Sequence, residues 1–366
     1  MTYLDANASE RLRPAARRAM LAALDGPGNP ASVHAAGRAA RRTLEDAREV
    51  IAARFGGRPA GLVFTSGGTE ADALAVHGLG GGRRVIVGAT EHAAILAAAP
   101  DAAVLPVDRD GLADLAALER LLATGPPALV CLMLANNETG TIQPVADAAA
   151  LCRRHGALLH VDAVQAAGRI PVGLAALGAD SLALSSHKLG GPAGAGTLLL
   201  AEAAAARLMP LIAGGGQERG RRGGTPALAA IAGFAAAAAE ADGLQLAALR
   251  DRAEQAALDH GAIVCGAGAP RLANTTCLAL PGAAAESQVI ALDLAGVQVS
   301  AGAACSSGKV ARSHVLAAMG LGALARQAIR VSLPWDATEA DIDAFAAAYA
   351  GMAGRLSAGR AARAAV

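Results

Sequence analysis

Lys188 follows Ser185-Ser186-His187 and precedes Leu189-Gly190-Gly191-Pro192-Ala193-Gly194. A primary amine can form an imine with an aldehyde, which a guanidinium cannot, and a glycine-rich turn lets a flat ligand approach the backbone. A loop lysine is ordinarily a solvated surface residue, but here lysine is scarce: Lys188 and Lys309 are the only two among 32 Lys and Arg. A chain that writes its other cations as arginine keeps an amine where amine chemistry is needed. Three more groups stand at comparable places. Asp162 ends the run His160-Val161-Asp162, where a buried carboxylate is costly unless it meets a cation. Gly67-Gly68-Thr69 offers free N–H groups and a hydroxyl at a helix start, a cup for a phosphate, although alone it reads as an N-cap turn. His92, in Thr90-Glu91-His92, alone reads as a loop histidine.

The elements that must position these groups are legible as short apolar runs ending in polar residues and alternating with longer helical stretches. The runs are 61–65, 84–88, 128–134, 157–161 and 180–184. Uninterrupted apolar strands alternating with helices predict a largely parallel sheet covered on both faces. Ligands of such sheets bind beyond the carboxyl ends of the strands, where all four groups lie. An amine, a carboxylate for a protonated ring nitrogen and a phosphate cup are the requirements of pyridoxal phosphate.

The chain has 366 residues, long for one core, which predicts two lobes. Beyond about Asp242 the texture changes: residues 243–259 read as one long helix, and strand-like pieces follow at 262–265, 276–280 and 296–300, a smaller α+β lobe. The tail 354–366 reads as fraying. Apolar residues are 54% of the chain and charged residues 17%, which excludes disorder. A net charge of +1 with 2% aromatics gives neither the field nor the stacking surfaces for nucleic acid. The cluster Arg219, Arg221, Arg222 reads as an interface or cofactor-proximal segment in preference to a phosphate patch. Five cysteines (Cys131, Cys152, Cys265, Cys277 and Cys305) form no CxxC pair, and their odd number argues against a disulfide framework. With no apolar span near ~18 residues and no signal-like N-terminus, the expectation is a cytoplasmic protein without membrane partners.

The sequence resembles the cysteine desulfurases of the NifS/IscS type, relatives of the class-V aminotransferases. The matching segments are 3–8, 28–34, 64–70, 91–92, 135–144, 160–165, 185–188, 214–225, 299–308 and 329–333, in family order over nearly the whole chain. The resemblance implies an α/β fold, the pyridoxal phosphate-dependent fold type I of aspartate aminotransferase. It also implies a large cofactor-binding domain at 14–245 and a small domain formed by 1–13 with 246–366. Lys188 would hold the cofactor as a Schiff base and shuttle the Cα proton. Asp162 would pair with the pyridine nitrogen, Gln165 would bond the phenolic oxygen, and His92 would stack on the ring and act in acid–base steps. Gly68, Thr69, Ser185 and His187 would hold the phosphate, with Thr225 from the other subunit of a homodimer. Asn7, Asn137 and Arg330 would form the substrate site, with Asn137 also near the cofactor and the Arg330 fork matching a carboxylate.

Cys305 separates reactions within the family. It lies in Ser300-Ala-Gly-Ala-Ala-Cys-Ser-Ser-Gly308, small residues suited to an exposed loop, whereas the other four cysteines sit in apolar runs and read as core. The resemblance implies that its thiolate takes sulfur from L-cysteine as a persulfide, releasing alanine. Acceptors would be iron–sulfur scaffolds or other sulfur-accepting proteins, with no resident metal beyond a cluster that Cys305 would ligate transiently with a scaffold. Selenocysteine lyase or small-amino-acid aminotransferase chemistry, and a non-enzymatic docking platform, are the rival readings. The chain departs from the family at Glu10, Gly223 and Pro334, which places pocket edges or dimer contacts in question.

Overall fold

In the computed structural model of the chain, residues 1–243, 245–302 and 312–364 are described. Strand β1 (Thr2–Tyr3) opens the chain. The runs of the first two-thirds form β2 (Leu62–Thr65), β3 (Arg84–Gly88), β4 (Ala103–Leu105), β5 (Ala128–Cys131), β6 (Leu158–Asp162), β7 (Ser181–Ser185) and β8 (Gly196–Leu200). They make one seven-stranded sheet in the order β2-β8-β7-β6-β5-β3-β4. Neighbours pair parallel except around β8, which runs antiparallel to both β2 and β7. Every residue of β2, β5, β7 and β8 is buried, the signature of a sheet covered by helices on both faces. The expectation of a mostly parallel α/β sheet holds.

The second part contains β9 (Ile263–Val264), β10 (Thr275–Ala279), β11 (Val297–Gln298), β12 (Ser300–Ala301) and β13 (Ala328–Ser332). The antiparallel sheet β12-β13-β10-β9 carries its own apolar core, in which Leu278, Ile329, Val331, Phe345, Tyr349 and Met352 are buried together with Leu4. Leu4 is there because β1 pairs in parallel with β11, tying the N-terminus to the later part of the chain.

Two helical expectations need correction. The helix expected over 243–259 spans only Ala247–Leu258. Asp242 accepts the Gly243 N–H at 3.0 Å, a local side-chain bond that competes with helix. The tail expected to fray continues as helix from Glu339 to Ala364. Alanine and arginine are strong helix formers, and Ile342, Phe345 and Tyr349 anchor the preceding turns. No helix of the described residues is long and apolar enough to cross a membrane.

Candidate active site

The carboxyl ends of β2, β3, β5, β6 and β7 open on one cavity of about 410 Å³, whose wall includes Gly68, Thr69, His92, Asn137, Asp162, Gln165, Ser185, His187 and Lys188. The small-lobe sheet closes it with Ser300 and Arg330, and the N-terminal segment with Asp5, Asn7 and Ala8. Eleven of the thirteen site residues expected from the sequence, Asn7 and Arg330 among them, therefore line one cavity. Thr225 lies outside the cavity, exposed in a neighbouring cleft with Ser66, Glu218 and Arg222. Cys305 and Lys309 lie outside the described residues.

Lys188 ends a short 3-10 turn directly after β7. Its Nζ donates to the main-chain carbonyls of Asn7 and, at 2.9 Å, Ala8. Gly190, two residues on, has φ of +91°, so a side chain there would be strained, and a Cβ would come 2.7 Å from Arg13 Cγ. The turn therefore needs glycine to bring the N-terminal segment over the lysine.

One end of the cavity is built for an anion. Gly68 begins the helix Gly68–Leu79, and a smaller cleft of about 240 Å³ is lined there by Gly67, Gly68, Thr69, Ser185, His187 and Gly194. A Cβ at Gly68 would sit 2.8 Å from Val164 Cγ2, so glycine keeps this approach open. The helix offers its free N–H groups to the cleft. Burial, reinforced by Lys188, pushes His187 down to about 4, leaving it neutral and able to donate one N–H.

The other end is built for a cation. Asp162 is buried at the end of β6, and its Oδ1 accepts the Val164 N–H at 2.8 Å. Burial, then the neighbouring Asp72 carboxylate, push it up to about 7. Behind it, His160 bridges Asp72 at 3.1 Å and Ser181 at 2.8 Å, all three buried. Burial pushes His160 down to about 4 and Asp72 up to about 7. The nearby His160 thus supplies no lasting positive charge, and a protonated ring nitrogen would relieve Asp162. His92 caps the helix Ala93–Ala98, its Nδ1 accepting the Ala94 N–H at 3.2 Å, which puts the proton of the neutral ring on Nε2. A carboxylate short of a cation, a glycine-opened anion cleft and an amine in the same wall fit pyridoxal phosphate: Lys188 would meet its aldehyde, Asp162 its ring nitrogen, and Gly68, Thr69, Ser185 and His187 its phosphate.

The substrate side shows partners that the sequence reading missed. Arg330, central in β13, donates to Asp5 Oδ1 at 2.6 Å and to the Asn137 carbonyl at 3.2 Å, while its buried Nε has no partner among the described residues. Asn7 spends its amide N–H groups on the Asn137 carbonyl at 3.1 Å and Thr275 Oγ1 at 3.0 Å, so it knits the two lobes together. Its main-chain oxygen faces Lys188 and, at 3.0 Å, the Gln165 amide. Of the adjacent pair, Asn136 is the structural one: its Oδ1 accepts the N–H groups of Glu138 and Thr139, shaping the turn that presents Asn137. Asp5 carries a signal in its place beside the Asn7 motif; Asp72, one helical turn after Gly68, carries one in its spacing.

Two departures from the family pattern meet each other. Glu10 is buried and accepts from the N–H groups of Arg11 at 2.9 Å and Trp335 at 3.4 Å, next to Pro334. Arg11 Nη1 donates to both carboxylate oxygens of Asp336, each at 3.1 Å, and the Arg13 guanidinium lies 4.9 Å from the Trp335 ring centroid. Together they staple the segment carrying Asn7 to the turn after β13. Gly223 is buried, its N–H donating to the Ile212 carbonyl at 2.7 Å. The basic cluster nearby is occupied internally: Arg219 and Arg221 donate to the carbonyls of residues 59–60, and Arg222 pairs with Glu70 at 2.8 Å beside the anion cleft.

Comparison with known proteins agrees with this geometry. The chain is 40% identical over 371 residues to the IscS-like cysteine desulfurase of Mycobacterium tuberculosis, covering 94% of each. It is 43% identical over 361 residues to a cysteine desulfurase of Cereibacter sphaeroides, covering 93% of this chain and 92% of that one. Among solved structures, a NifS-like protein of Rickettsia africae superposes with a TM-score of 0.88 at 34% identity, covering 96% of this chain and 99% of the other. Residues 2–345 match the family described as Aminotransferase class-V. With its amine, carboxylate and anion cleft at the strand ends of a fold type I sheet, the chain belongs to the class-V aminotransferase family, whose cofactor is pyridoxal phosphate.

Proposed function

We propose that the protein is a cysteine desulfurase, converting L-cysteine to L-alanine and leaving the sulfur as a persulfide on Cys305. The single observation that carries this reading is the cavity that joins Lys188, Asp162 and the anion cleft to Arg330, in a chain whose curated relatives bear that activity in their names. A further solved neighbour, 29% identical with a TM-score of 0.82, is described as SspA in complex with cysteine.

Pyridoxal phosphate, when bound, withdraws electrons from the substrate's carbons and so weakens bonds at and beyond Cα. The chain's own residues divide the remaining work. Lys188 holds the cofactor and moves the proton at Cα. Asp162 keeps the ring nitrogen protonated, and Gln165 donates to the phenolic oxygen. His92, with its proton on Nε2, covers the ring and exchanges protons above it. Gly68, Thr69, Ser185 and His187 bind the phosphate. Arg330, oriented by Asp5 and the Asn137 carbonyl, presents its remaining donors to the substrate carboxylate, with Asn7 and Asn137 shaping that end. The Cys305 thiolate attacks the substrate sulfur: an S–S bond forms, the C–S bond breaks, and the carbon keeps the electron pair and takes a proton to become the methyl group of alanine. Ser300, five residues before Cys305 in the sequence, lines the cavity, which supports the reach of that thiolate to the substrate.

The lobes 14–245 and 1–13 with 246–366 are the proposed domains, the second carrying Cys305. Thr225, exposed outside its own cavity, is proposed to complete the phosphate site of a second copy in a homodimer with shared active sites. Cytoplasmic iron–sulfur scaffolds and other sulfur-accepting proteins are the proposed acceptors.

The test is to incubate the holoprotein with L-cysteine and a thiol reductant and to measure alanine and sulfide. Equal amounts of both are expected, and Cys305→Ala lowers both by about 100-fold or more, the scale of removing a nucleophile from a site that keeps its binding groups. Sulfide formation surviving in Cys305→Ala would remove the assignment. In the same assay Arg330→Lys, which keeps the charge but loses the fork, raises KM for cysteine about tenfold, ~1.4 kcal/mol, with a smaller change in kcat. An unchanged KM would take Arg330 out of substrate binding.

A further inference from the structure

We propose that Arg169 is a positioning residue that fixes the orientation of the Gln165 side-chain amide, so that its NH₂ group and not its carbonyl faces the cofactor cavity. The inference rests on the reading above that Gln165 meets the cofactor's phenolic oxygen.

Gln165 lies in the turn that follows β6, and Arg169 is four residues further on, where the chain folds back beneath it. Both are buried, Gln165 at 6% and Arg169 at 4% exposure. The Arg169 Nη1 donates to Gln165 Oε1 and, at 3.1 Å, to the Gln165 main-chain carbonyl. A carboxamide can present either end to a cavity, because its oxygen and nitrogen exchange places by one rotation. Here the rotation is blocked from both sides. A guanidinium offers only donors, so the atom facing Arg169 must be the oxygen. Opposite, Gln165 Nε2 donates to the Asn7 main-chain carbonyl at 3.0 Å, which offers only an acceptor. The reversed amide would set N–H against N–H on one side and oxygen against oxygen on the other, two unsatisfied pairs in a buried place. One Gln165 N–H is thus spent on Asn7, which leaves the second for the cavity that Gln165 lines.

The same guanidinium reaches the other two segments of the site. Its Nη2 lies 3.4 Å from the carbonyls of both Ala6 and Lys188. Arg169 therefore touches the chain that supplies Asn7, the turn that supplies Gln165 and the turn that supplies Lys188. Burial pulls its pKa down to about 10, with Glu10 opposing, so it remains a cation at neutral pH. Its Nε has no hydrogen-bond partner among the described residues, a cost that a packing residue would not carry. A cation on the amide oxygen also polarises the amide and strengthens the N–H on the far side as a donor.

The test is a pH titration of the visible absorbance of the bound cofactor, in holoprotein reconstituted with pyridoxal phosphate and checked for folding by circular dichroism. Losing the donor to the phenolic oxygen raises the midpoint, because the anionic oxygen is less stabilised and the shared proton is held more tightly. Arg169→Met and Gln165→Ala are each expected to move the midpoint up by about one pH unit, tenfold in the proton equilibrium. The double variant moves it no further than Gln165→Ala alone, the mark of one group acting through the other. A wild-type midpoint in Arg169→Met while Gln165→Ala shifts overturns the role of Arg169 and leaves the reading of Gln165 standing. Full additivity overturns it too, since Arg169 would then act by charge alone. A wild-type midpoint in Gln165→Ala overturns both. A neutron structure of the wild-type holoprotein reads the amide without any substitution. Deuterium on the cavity-facing atom of Gln165 supports the proposal, and deuterium on the atom facing Arg169 contradicts it.

Discussion

Lys188→Ala is expected to lower cysteine turnover by about 10⁴-fold or more. That is the upper end of what one positioned proton-transfer group contributes, and here the covalent attachment of the cofactor is lost as well. The size follows from where the lysine stands. Among the described residues of the cavity wall Lys188 is the only primary amine, and the Arg330 guanidinium there, engaged by Asp5, cannot form an imine. The variant should still bind pyridoxal phosphate, more weakly, because the anion cleft and Asp162 are untouched. The check is steady-state turnover together with borohydride reduction, which should fix cofactor to the wild-type peptide containing Lys188 and not to the variant. Turnover within tenfold of wild type would show that another group does this work.

Asp162→Asn is expected to cost on the order of 10²–10³-fold in turnover, the range seen when one preorganised electrostatic partner of a reacting system is removed. The asparagine keeps the shape and can keep the bond to the Val164 N–H, so the loss reports charge. The carboxylate is held at a cost: burial and the Asp72 carboxylate push it up to about 7, and its stabilisation awaits a cationic ring nitrogen. Cofactor affinity, measured by titrating the apoprotein, should weaken together with turnover. A variant of unchanged affinity and rate would mean that the ring nitrogen lies elsewhere in the cavity.

The parts of the site that the sequence reveals are those fixed by local physics. Lys188, Asp162 and Gly68-Thr69 each stand at or just beyond the end of an apolar run, and such polar residues lie at the carboxyl ends of the strands, where ligands bind in α/β folds. The direction of β8 was not legible, because a fully buried strand reads Gly-Thr-Leu-Leu-Leu in either direction. Nor were Asp5 on Arg330, brought together across 325 positions of sequence, and Arg169 on Gln165, which meet through a turn outside any regular element. The tail misled for a different reason, since its many alanines and arginines lack apolar periodicity yet favour helix without it. Glu10 and Pro334 stood out only as departures; that Glu10 meets Trp335 became visible once β1 was paired with β11 and the N-terminal segment lay beside the end of β13.

The persulfide itself is the most direct measurement. The holoprotein is treated with L-cysteine without reductant, alkylated, digested, and the peptide containing Cys305 is weighed. The other four cysteines serve as internal controls: all are buried, and burial pushes Cys131 well up and Cys152 up to about 12, keeping both as thiols at neutral pH. The account predicts a gain of one sulfur, about 32 Da, on Cys305 alone, with one alanine released per sulfur bound. Alanine released while Cys305 stays unmodified, or the sulfur found on another cysteine, would contradict it.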